Sequence, residues 1–188
     1  MLTAVRDPER HTETALDRTY MLGPDYEPPD LVQASADERI RGIVRPSLDA
    51  LLAAAAAAGH RLVVVSAYRS YDEQRATFDQ WVSVGGYEQA LRTSARAGHS
   101  EHQLGTAVDL GDGTRPPWEY EDWAAMPAGA WVVGNAERFG FVMSYPRGSE
   151  GVACYEYESW HYRWVGTDLA AKLRSMGLTL REYQAQGR

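Results

Sequence analysis

Apolar and polar positions change period several times along the chain. Arg61-Leu62-Val63-Val64-Val65-Ser66 is a continuous β-branched run and predicts a buried strand. Shorter runs at 106–110, 141–145, 152–158 and 161–165 predict further strands. Ser35-x-x-Glu38 and Ser70-x-x-Glu73 have the capping-box form and predict helix starts. The first helix should break or kink at Pro46, resume through the alanines at 53–58 and stop at Gly59. The second should run to about Trp81, with Gly85-Gly86 as a break and a shorter helix on to about Arg96. Residues 128–139 predict a helix ended by Gly140, and Thr167 caps one that runs through Met176 to Gly177. Thr179-x-x-Glu182 marks a last helical turn. Helices come mostly first and strands cluster later. The expected class is therefore α+β, a single domain with an antiparallel sheet and helices packed around it.

A length of 188 residues suits one compact domain. Residues 1–15 are charged and aperiodic, an expected flexible N-terminus, which leaves 16–188 as the folded domain. Residues 22–30, rich in proline, should lie extended over it. The net charge of -7 argues against nucleic acid, which calls for a basic stripe, and against an anionic membrane surface. No apolar stretch approaches the length of a membrane span. The first residues lack a signal peptide's apolar segment. Either the protein stays inside the cell or an export signal lies outside this sequence, and both remain open at this point. A monomer is expected. Cys154 is the sole cysteine, so no internal disulfide forms, and a small buried strand residue is its expected role.

The chemistry concentrates in two segments, Ser100 to Asp109 and Glu158 to His161. His102 and Asp109 are seven apart, which in an unbroken strand would point them to opposite faces; Gly105 between them permits a turn. Alone the pair reads as readily as a surface histidine and a strand-end aspartate. Glu158-x-x-His161 lets one side chain hold a metal while the other serves as a base, or else is a strand end with an ion pair to Arg163. Jointly the count is that of an open zinc site: His102, Asp109 and His161 as three ligands, a fourth position for water, and Glu158 left over. Arg69 falls where a strand passes to a helix, placed either to bind a carboxylate or oxyanion or to pair with Asp72 or Glu73. His11 and His60 read as solvated, His99 has no partner spacing, and Trp118 and Trp123 are the tryptophans expected to line a groove edge.

These motifs resemble the zinc D-alanyl-D-alanine carboxypeptidases of the VanY type, a group that includes the VanX dipeptidases. The shared pattern is Ser-x-His-x-x-Gly-x-Ala-x-Asp, complete here at 100–109, followed by Glu-x-Trp-His at 158–161. Tyr68-Arg69-Ser70 and the segments at 16–18 and 26–32 also match, so the resemblance runs from about residue 16 to about 176. Many members carry proline where this chain has Ser159. The resemblance implies one zinc ion per chain on His102, Asp109 and His161, with Glu158 as general base and acid. It implies Arg69 at the oxyanion or substrate, and Ser100 and Gln74 as lesser substrate contacts. The implied activity removes the terminal D-alanine from peptidoglycan stem peptides. The alternatives are an L,D-carboxypeptidase acting on tetrapeptide stems, an L-alanyl-D-glutamate endopeptidase, or a non-catalytic zinc-bearing module that binds muropeptides.

Overall fold

A computed structural model describes residues 16–186 and the short strand Thr3–Ala4. The expected flexible terminus thus falls almost wholly outside the described residues; Thr3–Ala4 (β1) pairs parallel with Tyr20–Met21 (β2). Leu31–Gln33 (β3) and Arg39–Arg41 (β4) form an antiparallel hairpin. The loop between them corrects the first helix expectation. Ser35 and Glu38 close a turn through Ser35 N–H to the Glu38 carbonyl, 3.2 Å, rather than capping a helix. The helix starts later, at Arg45–Ala57 (α1), and Pro46 sits in its first turn instead of breaking it. A missing N–H costs nothing there, because first-turn amides have no helical acceptor.

The centre is a four-stranded antiparallel sheet of Val63–Ser66 (β5), Ala107–Gly111 (β6), Phe141–Met143 (β7) and His161–Trp164 (β8), in the order β5-β6-β8-β7. Strand alternation divides its two faces. Val108, Leu110 and Tyr162 pack with Leu48 and Leu51 of α1 into the main hydrophobic core. Val132 joins them from Pro127–Asn135 (α4). Each such buried aliphatic side chain contributes roughly 1.5–3 kcal/mol. Asp109, His161 and Arg163 occupy the alternate positions and are buried although polar. The apolar face therefore builds the fold, and the opposite face is left for chemistry.

Tyr71–Gly85 (α2) follows β5 directly and carries the capping box read from Ser70 and Glu73: the Ser70 hydroxyl accepts from Glu73 N–H and the Glu73 carboxylate from Ser70 N–H. Tyr87–Thr93 (α3) is the short helix beyond Gly86. The predicted strand at 152–158 is absent. Glu150–Ala153 (α5) is a single helical turn, ended by Cys154 at φ +72°. Cys154 is partly exposed rather than a buried strand residue. Thr167–Met176 (α6) and Leu180–Gln186 (α7) close the chain, and Leu173 and Leu180 form a second cluster with Val142 and Val165. Trp123 is fully buried, not at a groove edge; Trp118 is exposed and meets Trp160 edge-on at 6.3 Å. Residues 22–30 lie over the domain, where the Gln103 amide donates to the Gly23 and Tyr26 carbonyls.

Candidate active site

His102 lies on a 3-10 turn, Glu101–Leu104, whose start is capped by the Ser100 hydroxyl accepting His102 N–H at 3.3 Å. Gly105 ends the turn at φ +68°, a conformation that favours glycine. A β-carbon at Gly105 would also meet the Arg41 side chain at 2.9 Å. The turn breaks strand alternation and aims His102 at the same point as Asp109. His102 Nδ1 donates to the Ala67 carbonyl at 2.5 Å, which leaves Nε2 facing Asp109 Oδ2 at 3.3 Å.

Asp109 and His161 are direct cross-strand partners on β6 and β8, with His161 Nδ1 3.0 Å from Asp109 Oδ1. One ligand atom from each of His102, Asp109 and His161 falls within 4.8 Å of the others, and all three residues are buried. Two imidazoles and a carboxylate form a donor set that suits zinc. Ligand atoms at about 2.0–2.1 Å from a tetrahedral ion lie roughly 3.3 Å apart, so the His102–Asp109 spacing already fits.

Glu158 enters from the turn that feeds β8: His161 N–H donates to the Glu158 carbonyl at 3.3 Å, and Glu158 N–H to the Tyr145 carbonyl at 3.0 Å. Its carboxylate takes no hydrogen bond from the described residues. Arg69 follows a bulge in β5, where the register shifts between Val64 opposite Leu110 and Ser66 opposite Asp109. The bulge moves Ser66 onto the Asp109 side of the sheet. Arg69 Nη2 donates to the Ser66 hydroxyl and Nη1 to Gln74 Oε1, both at 2.8 Å. Pairing with Asp72 or Glu73, the surface reading of Arg69, is not what holds it; Asp72 pairs with Arg75. Gln74 is 1% exposed, and its amide NH2 donates to the Ala95 carbonyl at 2.6 Å. It meets the site through Arg69 rather than through its own amide. Ser100 is likewise buried and engaged as the cap beside His102.

The electrostatics separate the two glutamates of the site. Burial pushes the Glu158 carboxyl up to about 8; Asp109 and Glu101 add to the rise, against His161 and Arg69. Burial also opposes charge on Glu101, but the Arg163 guanidinium, His161 and Ser144 outweigh it and hold its carboxyl down at about 2. Burial disfavours a charged His161, yet its bonds to Asp109 and Glu101 raise it to about 10. Burial and the nearby Arg69 lower His102 despite Asp109, which keeps it in the neutral form that a metal requires.

Three participants were missed in the sequence. Glu101 Oε2 accepts from His161 Nε2 at 3.0 Å and from the Ser144 hydroxyl at 2.6 Å, while Oε1 accepts from Arg163 at 2.9 Å. Arg163 therefore pairs with Glu101. Glu38 accepts from Ala67 N–H at 2.7 Å, on the same residue whose carbonyl receives His102. Tyr145 stacks on the His161 ring at 4.9 Å. The one available signal was a glutamate directly before His102; Glu38 and Tyr145 have no local signature. Of the remaining histidines, His99 is buried with Nδ1 on the Asp17 carbonyl, His60 is partly buried near Trp131, and His11 lies outside the described residues.

Comparisons with known proteins point to one family. The sequence model of the VanY family, described as D-alanyl-D-alanine carboxypeptidase, matches residues 37–167. The YodJ protein of Bacillus subtilis is 38% identical over 191 residues, covering 97% of this chain and 70% of that protein. The LdcB LD-carboxypeptidase structure, solved in a study of peptidoglycan recognition, superposes with a TM-score of 0.86 at 34% identity, over 97% of this chain and 89% of its own. A zinc(II) complex of a vancomycin-resistance D,D-pentapeptidase of the VanY type gives 0.81 at 31% identity, over 92% and 98%. With the family model matching residues 37–167 and the fold shared with these structures, the chain belongs to the VanY family of D-alanyl-D-alanine carboxypeptidases.

Proposed function

We propose that residues 16–188 form a zinc-dependent D,D-carboxypeptidase that removes the terminal D-alanine from peptidoglycan stem peptides. The observation that carries this reading is the convergence of His102, Asp109 and His161 on one point, with Glu158 entering beside them and taking no hydrogen bond on its carboxylate from the described residues. His102 through Nε2, Asp109, and His161 through Nδ1 would hold one zinc ion. Bound there, zinc supplies a Lewis acid that polarises the scissile carbonyl and acidifies water.

The chain's own residues account for the remaining steps. Glu158 takes a proton from the attacking water and returns it to the departing D-alanine nitrogen; a carboxyl raised toward neutrality by burial suits both transfers. Arg69, braced by Gln74 and Ser66, presents its guanidinium to the developing oxyanion or the substrate carboxylate. Tyr145 covers one face of His161 and limits water there. The work on stem peptides belongs to the cell envelope or the exterior, and among the described residues no helix is long and apolar enough to cross a membrane.

A second reading is an L,D-carboxypeptidase acting on tetrapeptide stems, favoured by the extent of the LdcB likeness. Zinc-loaded protein incubated with matched pentapeptide and tetrapeptide stems, with products read by mass, decides between them. Loss of one D-alanine from the pentapeptide alone supports the D,D reading. Cleavage confined to the tetrapeptide replaces it with the L,D reading. Binding of zinc and muropeptide without release of D-alanine would leave a non-catalytic module.

A further inference from the structure

The geometry points to Glu101 as the positioning residue of this centre: held by Arg163 and Ser144, its carboxylate accepts the Nε2 proton of His161 and leaves Nδ1 as the nitrogen that meets the metal. The inference rests on the metal site proposed above and adds to it a residue outside the His-Asp-His set.

A histidine ring can offer either nitrogen to a metal, and the hydrogen bond at the other nitrogen decides which. Here the choice is imposed from behind the ring. Glu101 Oε2 lies 3.0 Å from His161 Nε2, while Oε1 is occupied by Arg163 Nη1 at 2.9 Å. An ionised carboxylate can only accept, so Nε2 must carry hydrogen. Nδ1 faces Asp109 Oδ1 at 3.0 Å and also carries hydrogen in the metal-free protein; zinc arriving beside Asp109 and His102 displaces that proton and meets the lone pair at Nδ1.

The support is built into one strand. His161 and Arg163 are two apart on β8, so they share a face, and the strand that carries the imidazole also carries the cation that holds its acceptor. Ser144 closes the third side: its hydroxyl donates to Glu101 Oε2 and its N–H to the His161 carbonyl. Arg163 is 0% exposed and Glu101 is buried. An ion pair that deep is costly to desolvate and is weak as a stabiliser of the fold, which points to a local task.

Glu101→Gln is nearly isosteric but has one acceptor oxygen and one amide donor. Whichever way the amide turns, a donor opposes either the His161 Nε2–H or the Arg163 guanidinium. Zinc affinity, measured by chelator competition, should fall on the order of 10–100-fold. In the wild-type protein loaded with cadmium-113, nitrogen NMR should show His161 Nδ1 coupled to the metal and Nε2 protonated. That measurement needs no variant, so it stands even where losing the Glu101–Arg163 pair unfolds the chain. Metal coupling at Nε2 in the wild type overturns the inference. So does a folded Glu101→Gln protein that binds zinc as tightly as the wild type. Failure of the wild type to take up metal at all would instead overturn the zinc reading, and this inference with it.

Discussion

Asp109 and His161 face each other across two antiparallel strands, with His161 Nδ1 3.0 Å from Asp109 Oδ1. The pair is both the proposed heart of the metal site and, without metal, a buried hydrogen-bonded couple. Two carboxylates on one imidazole hold its proton, so zinc has to displace it.

That relationship sets a pH dependence. The His161 pKa is raised from 6.5 to about 10, so its contribution to stability is complete below pH 6.5 and lost as pH rises through 10. Glu158, raised from 4.5 to about 8, adds a contribution complete below pH 4.5 and lost as pH rises through 8. Thermal melts of metal-free protein should therefore show falling stability between about pH 4.5 and 10. On the acid side Glu101, lowered from 4.5 to about 2, stabilises above pH 4.5 and loses that effect as pH falls through 2. Zinc uptake near pH 7 should release protons, read by calorimetry in buffers of different protonation enthalpy, and apparent affinity should rise with pH. Uptake without proton release would contradict a protonated His161.

Glu158→Gln keeps the side chain's size and removes its basicity. Turnover of a stem peptide should drop roughly 10²–10⁴-fold while zinc content, measured by atomic absorption, stays the same. Retained turnover would remove Glu158 from the mechanism.

Gly105→Ala tests the turn behind His102. At φ +68° a β-carbon costs about 1–2 kcal/mol, and at 2.9 Å it presses on Arg41. The variant should lose about that much stability in urea titrations and bind zinc more weakly, because the strain is relieved by moving the turn that bears His102. Full zinc affinity in a destabilised variant would show that His102 is positioned elsewhere.

Glu38→Ala removes the acceptor for Ala67 N–H, 2.7 Å away, and touches no proposed ligand. The Ala67 peptide also orients His102 Nδ1 and lies two residues before Arg69. The expected outcome is a several-fold loss of zinc affinity together with slower turnover, measured by chelator competition and steady-state kinetics. A variant indistinguishable from the wild type in both would leave Glu38 as a loop residue only.

Much of this was legible along the chain because it is governed locally. The β-branched run at 63–66, the Ser70–Glu73 capping box and the glycine stops at 140 and 177 depend on neighbours within one turn, and each falls where the pattern put it. The spacing of His102, Gly105 and Asp109 likewise foretold a turn. Where a local signal met a tertiary competitor, it failed. Ser35 and Glu38 have capping-box spacing, but pairing of β3 with β4 and the Ala67 amide claimed them. The apolar positions at 152–158 were too few to tell a strand from the single helical turn that forms.

The sequence by itself determined the kinds of group available and the order in which they come: two imidazoles, a short carboxylate, a second glutamate and an arginine at a strand end. Only the tertiary structure decided which of them share charge. Antiparallel register set Asp109 opposite His161, and the β5 bulge put Ser66 beside Arg69. Burial then separated Glu101, ionised against Arg163, from Glu158, held up near neutrality. Those outcomes depend on distances between segments some 40 to 60 residues apart and on the loss of water around them, neither of which is written in any local pattern.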